Sequence, residues 1–286
     1  MKYANQHFIT EAYLRAWCDP HTPNGAFVWR VSVKDHSISK KSPKSLFAEL
    51  DFYTTYDSKG NRILDVEHKL QEIEGKFIAL RDKKILSHQQ LTAEDRKTIA
   101  FFISSIFART KRQKEDDLQI WQDYFRMVET LPLEIAGRIK ETLEYRHVLE
   151  QDSKQPMPFH LSFFVNATAP YLYSMNCAIY ETETEPGFIT SDDPCVWFDP
   201  AIYNPNIPLT FFGIGSPTLN ILFPISPRQY ISLEKNGLDG YIDLHSHPNE
   251  TELVDCINGL IVLNSQEYIV VSQNIVKKEW FLDNQK

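Results

Sequence analysis

Residues 92–107 read TAEDRKTIAFFISSIF, and their spacing decides the fold class. Thr92 is a good helix N-cap, and Asp95 three residues later makes a partial capping box. Ile99, Phe102, Ile103, Ile106 and Phe107 then recur at three- and four-residue intervals, the period of a helix that buries one side. The reading carries this helix to about Val128. Upstream, Val66, Leu70, Ile73, Phe77 and Leu80 repeat the pattern, and residues 87–91 break it. Downstream, Pro132 opens another helix to about Glu150, and residues 159–173 form one more, interrupted or ended near Pro170. The centre of the chain is therefore expected to be helical, with strands before residue 60 and after residue 174.

Outward from that centre the period changes. Residues 26–33, AFVWRVSV, alternate and are rich in β-branched and aromatic side chains, as a strand is. Asp35-His36 turns the chain into a return strand at 37–40. Residues 52–56 read as a further strand. Residues 7–18 suit a short helix on which His7 and Arg15 share a face, closed by turn signals at 20–25. Strands are expected at 176–181, 187–190, 220–224, 229–233 and 268–272, a helix at 250–264, and a long loop at 200–217. The polar, proline-bearing residues 151–158 mark the best internal boundary. The expected architecture is α+β: one domain over 1–286, a central helical bundle flanked by an N-terminal β-hairpin region and a C-terminal mixed or antiparallel sheet. Subdomains at 1–150 and 159–286 remain open.

The 286 residues suffice for a large core, and hydrophobic content is 42%. A formal net charge of −8 argues against a protein that coats nucleic acid without regard to sequence, although a local basic stripe would suffice for specific contact. No apolar run approaches the ~20 residues needed to cross a bilayer, so no membrane partner is expected. Cys18, Cys177, Cys195 and Cys256 form no C-x-x-C pair and read as mostly buried thiols of a cytoplasmic protein. Walker, dinucleotide-binding, nucleophile-elbow and H-E-x-x-H motifs do not occur.

Several short blocks form a pattern. Gln6-His7-Phe8-Ile9 with Leu14-Arg15-Ala16-Trp17, then Lys44, Glu49 and Phe52-Tyr53, Glu67 and Glu74 on a helix, Phe107-Ala108-Arg109-Thr110, Ile189-Thr190-Ser191-Asp192-Asp193-Pro194 and Pro224-Ile225-Ser226-Pro227 follow one another over nearly the whole chain. Their order and spacing resemble the bacterial domain-of-unknown-function family 4238. The resemblance implies a bacterial, intracellular protein with a shared site, linked to mobile or defence genes. It implies no particular reaction.

These blocks hold the candidate chemistry, and each residue has a plainer alternative. His7 fits a general base or metal ligand, or an imidazole bonded to a carbonyl. Asp192, at a strand's end, fits a catalytic carboxylate, or an Asx-type turn built with Thr190 and Ser191. Glu67 and Glu74, two helical turns apart, fit a divalent metal site for phosphodiester hydrolysis, or a solvated helix face. Lys44 and Glu49 suit an acid-and-lysine set or surface charges. Arg109-Thr110-Lys111-Arg112-Gln113-Lys114 fits phosphate binding or a solvated face. Arg109 sits beside apolar residues and is expected to turn inward to Asp192. His245-Ser246-His247 suits a metal pair or an exposed turn.

Two function classes follow. In the first the chain is a hydrolase of nucleic-acid phosphodiesters, with His7 and Asp192 catalytic and Gln6, Arg109 and Ser191 holding a nucleic acid or another phosphate-containing ligand. In the second it is a non-catalytic sensor or protein-interaction module, in which the same groups fix the joint between helices and sheet. The expectation common to both is that His7, Arg109 and Asp192 cluster there.

Overall fold

The computed structural model describes residues 5–18, 26–57, 59–203 and 213–281. The turn expected at 20–25 and half of the loop expected at 200–217 lie outside them. Among the described residues are eight α-helices: α1 (Glu11–Leu14), α2 (Asp65–Lys83), α3 (Ala93–Ala108), α4 (Lys111–Thr130), α5 (Leu133–Glu141), α6 (Leu143–His147), α7 (Met157–Ser174) and α8 (Glu250–Asn264). The capping box forms as read: the Thr92 hydroxyl accepts from the Asp95 N–H, and the Asp95 carboxylate accepts from the Thr92 N–H at 2.9 Å.

The expected helix from 92 to 128 is two helices. Arg109 leaves helical geometry with ψ 24°, and Thr110 caps α4 by accepting from the Gln113 N–H. Hydrophobic period alone runs across such a break, because both sides are helical. Thr142 likewise caps α6, dividing the segment that begins at Pro132. Conversely, α7 passes through Pro170. The carbonyl that proline leaves unbonded is that of Asn166; both residues are exposed, so water can satisfy it.

The strands are β1 (Asn5–His7), β2 (Val28–Ser32), β3 (Ile38–Lys41), β4 (Ala48–Leu50), β5 (Thr55–Tyr56), β6 (Arg62–Ile63), β7 (Asn176–Glu181), β8 (Thr190–Ser191), β9 (Val196–Phe198), β10 (Asn220–Ser226), β11 (Gln229–Glu234), β12 (Gly240–Asp243) and β13 (Tyr268–Val271). One sheet has the order β12-β7-β11-β10-β9, with β12 parallel to β7 and the rest antiparallel. A second has the order β3-β2-β13-β8, so the N-terminal hairpin is completed by strands from the far end of the chain. The pairs β1-β4 and β5-β6 are separate ribbons. His7 therefore lies on a strand, not at a helix start, and helix α1 begins four residues later.

The main core lies between the helices and the five-stranded sheet, and draws on residues from Phe8 to Val270. Its axis is aromatic. Phe77 of α2 stacks on Phe102 of α3 with centroids 3.8 Å apart; Phe223 of β10 meets Phe102 edge-on and stacks on Tyr13 of α1. A second core packs α8 against the four-stranded sheet. Helices α4 to α6 enclose a small cluster of their own around Val128, Ala136 and Tyr145. Gly187 shows why the sheets can meet so closely. At φ +80° it lies against the turn after β10, where a Cβ would stand 2.0 Å from the Pro227 carbonyl oxygen.

Candidate functional site

The turn after β8 is the pivot. Thr190 bonds the Tyr13 hydroxyl at 2.7 Å, and that hydroxyl donates to the Pro224 carbonyl at 2.7 Å. Ser191 is buried and accepts from the Asp193 N–H at 3.1 Å. Asp192 is 4% exposed, and its two oxygens accept from the N–H groups of Gln266, Glu267 and Tyr268 at 2.9, 2.7 and 3.0 Å. Burial raises its carboxyl above the ordinary value, and these three donors oppose the shift. Ser191 and Asp192 thus build the turn and fasten it to the loop between α8 and β13.

Asp193 points elsewhere. Its carboxylate stands 3.2 Å from Arg112 Nε, in the first turn of α4. Arg112 also donates to the Asn264 carbonyl, and the Asn264 amide donates back to the Asp193 carbonyl at 2.8 Å. This closed circuit joins α4, α8 and the turn. Burial pushes the Asp193 carboxyl up to about 7; Arg112 opposes the shift and neighbouring Asp192 adds to it.

Arg109 does not reach Asp192. It is fully buried and its Nη1 donates to Glu74 on α2, while Nε and Nη2 make no bond to the protein. The reason is the break at Arg109, which faces it back toward α2 while Lys111 and Arg112 begin α4 on the other side. Tyr53 lies in the same cluster. Burial raises its phenol well above the ordinary value, and Arg109 opposes the shift while Glu67 and Glu74 reinforce it. Glu67 takes a bond from Gln71 at 3.0 Å, and its second oxygen is buried without a partner. Glu74 is neutralised by the Arg109 guanidinium, which speaks against the metal-site alternative for Glu67 and Glu74. Among the described residues, no group of three or more His, Cys, Asp or Glu side chains could hold a metal ion.

Gln6 is buried and structural. Its amide donates to Thr54 Oγ1 at 2.9 Å and accepts from the Tyr53 N–H at 2.8 Å. The His7 ring meets the Lys44 carbonyl at 3.1 Å, the plainer of its two readings. Glu49 pairs with Lys114 at 3.5 Å. His245 and His247 lie in a turn beyond β12. The expected meeting of His7, Arg109 and Asp192 side chains is not formed, but their segments do meet. A polar cavity of about 170 Å³ is lined by Phe8, Lys111 and Asp192, together with Arg30, Glu267 and Tyr268; residues 45–48 close one wall. Each expected block supplies a lining group, shifted by one or two positions in two of the three cases.

Within this cavity the Arg30 guanidinium lies 4.2 Å from the Tyr268 ring centroid, and its Nε is buried without a partner. Lys111 Nζ stands 3.3 Å from Glu267, over the ring of Phe8. Lys111 was legible only as part of the basic cluster. Arg30 carried one signal, a charge inside a strand rich in apolar and aromatic residues. Glu267 and Tyr268 carried none, because β13 brings them here through pairing with β2.

The family model described as "Protein of unknown function (DUF4238)" matches residues 5–274. No curated protein and no solved structure matches the chain. No helix among the described residues is long and apolar enough to cross a membrane.

Proposed function

We propose that this chain, which belongs to the DUF4238 family, is a non-catalytic sensor that takes a small phosphate-containing ligand in the cavity between β2, α4 and β13. One observation carries the reading: three separated blocks of the sequence converge on a single polar cavity holding two cationic side chains. Asp192 lends the cavity little repulsion, because its charge is already met by three N–H donors. Glu267 is 51% exposed and can swing aside from Lys111. What remains is the field of Arg30, Lys111 and the first turn of the 20-residue α4, the arrangement that favours an oxyanion. A volume of about 170 Å³ accommodates one phosphoryl group with a few waters, each of which takes ~30 Å³.

Titration calorimetry with inorganic phosphate and nucleoside monophosphates tests this. Wild-type protein should bind; Arg30→Met and Lys111→Met should each weaken binding by about tenfold, the loss of one charge-assisted bond. Equal binding by wild type and both variants overturns the reading. The second reading, hydrolysis of nucleic-acid phosphodiesters, is favoured by one feature: His7 stands next to Phe8, which lines the cavity. Cleavage of RNA or DNA that disappears in His7→Ala would establish it in place of the sensor.

A further inference from the structure

Helix α7 contains no Asp, Glu, Lys or Arg in its 18 residues, yet one side of it faces solvent. Phe159 and Phe163, one turn apart on that side, are 54% and 68% exposed, and their rings stack in parallel with centroids 6.1 Å apart. A surface helix ordinarily carries charge on its outer face. Exposed single apolar residues need no explanation, but a stacked pair of rings on an uncharged helix marks a surface that another surface covers.

Beside this ridge lies a groove of about 480 Å³ between α2, α3 and α7. Its floor is apolar: Val66, Leu70 and Ile73 from α2, Phe101 from α3, Leu161 and Val165 from α7. Ser162 and Asn166 of α7 also line it, so ridge and groove are adjacent strips of one face. Its charged rim holds three carboxylates, Asp65, Glu72 and Glu94, and three ammonium groups, Lys69, Lys76 and Lys97. Along α2 the signs alternate, from Asp65 to Lys69 to Glu72 to Lys76.

We propose that the occupant of this groove is a second copy of the chain, with Phe163 of each protomer seated in the groove of the other. A two-fold interface must be self-complementary, so knob and hole have to lie side by side on the same face. They do. The rim is neutral and alternating, and it can meet a rotated copy of itself with opposite charges opposed. It offers no net field to a nucleic acid, an acidic peptide or an anionic lipid surface. On a chain of net charge −8, a neutral face is also where two copies approach with least repulsion. This proposal is independent of the phosphate cavity, which none of the groove residues lines.

Sedimentation velocity over a range of micromolar concentrations tests it. Wild-type protein should be a dimer. Phe163→Asp should weaken the dimer at least tenfold while leaving the thermal midpoint unchanged at concentrations low enough for both proteins to be monomeric, since the ring is mostly solvent-facing in one protomer. Phe163→Ser should do the same without adding charge. Leu133→Asp, at an even more exposed apolar position on α5, should leave the dimer intact. A wild-type monomer throughout the range overturns the proposal, and so does a dimer that Phe163→Asp and Phe163→Ser leave unchanged.

Discussion

Replacing Asp193 with asparagine should stabilise the protein at alkaline pH, by an amount that follows from the burial of one carboxyl. Asp193 is 4% exposed, and folding raises its pKa from 3.8 to about 7. An acid whose pKa rises on folding holds its proton more tightly in the native state. Its contribution to stability is therefore complete below the unfolded value of 3.8 and is lost as pH rises through about 7. At 1.36 kcal/mol per unit, the loss across that window is about 4 kcal/mol, as an order of magnitude. Asparagine keeps the shape and cannot ionise. The weakened pairing with Arg112 is already inside that figure, because Arg112 is one of the causes that set the folded pKa. Urea denaturation at a series of pH values should find the variant level with wild type near pH ~4 and ahead by roughly 4 kcal/mol near pH ~8. A variant less stable than wild type at the alkaline end refutes the reasoning: the Arg112 circuit would then outweigh the cost of burial.

Three further outcomes follow from the same packing. Arg109→Met leaves Glu74 without its partner and should cost about 3–5 kcal/mol in urea denaturation, whereas the double variant with Glu74→Met should recover much of that loss. Phe102→Ala removes the ring between Phe77 and Phe223 and should cost about 3–5 kcal/mol by the same assay. In native protein a thiol reagent should label Cys256, which is exposed, well before Cys177 and Cys195, which are buried and whose thiols burial pushes up, Cys177 to about 12.

The α+β class was legible because the long central helices carry their period over four turns or more, as in Val66 to Leu80. Element ends were less so. The division between α3 and α4 is a capping event at Thr110, and periodicity is blind to it. Strands β9 and β12 have three or four residues, too few to display an alternation, and exist because a longer neighbour pairs with them. The site was legible at the level of segments. Chemical reasoning chose the most reactive side chain in each block, but His7 and Arg109 serve internal bonds, as does Asp192 even where it lines the cavity. Lys111 lies two residues past Arg109 because the chain turns there. The pairing of Arg30 with Val270 places the second cation across some 240 residues of sequence, a distance over which no local pattern carries information.

The measurement closest to the central claim is a crystal structure of the protein grown with a nucleoside monophosphate. The account predicts the phosphoryl group in the cavity beside Phe8, within hydrogen-bonding distance of Arg30 Nε and Lys111 Nζ, with the Glu267 side chain moved off Lys111. A phosphoryl group bound anywhere else, or a cavity still closed by the Lys111–Glu267 pair at saturating ligand, would contradict it.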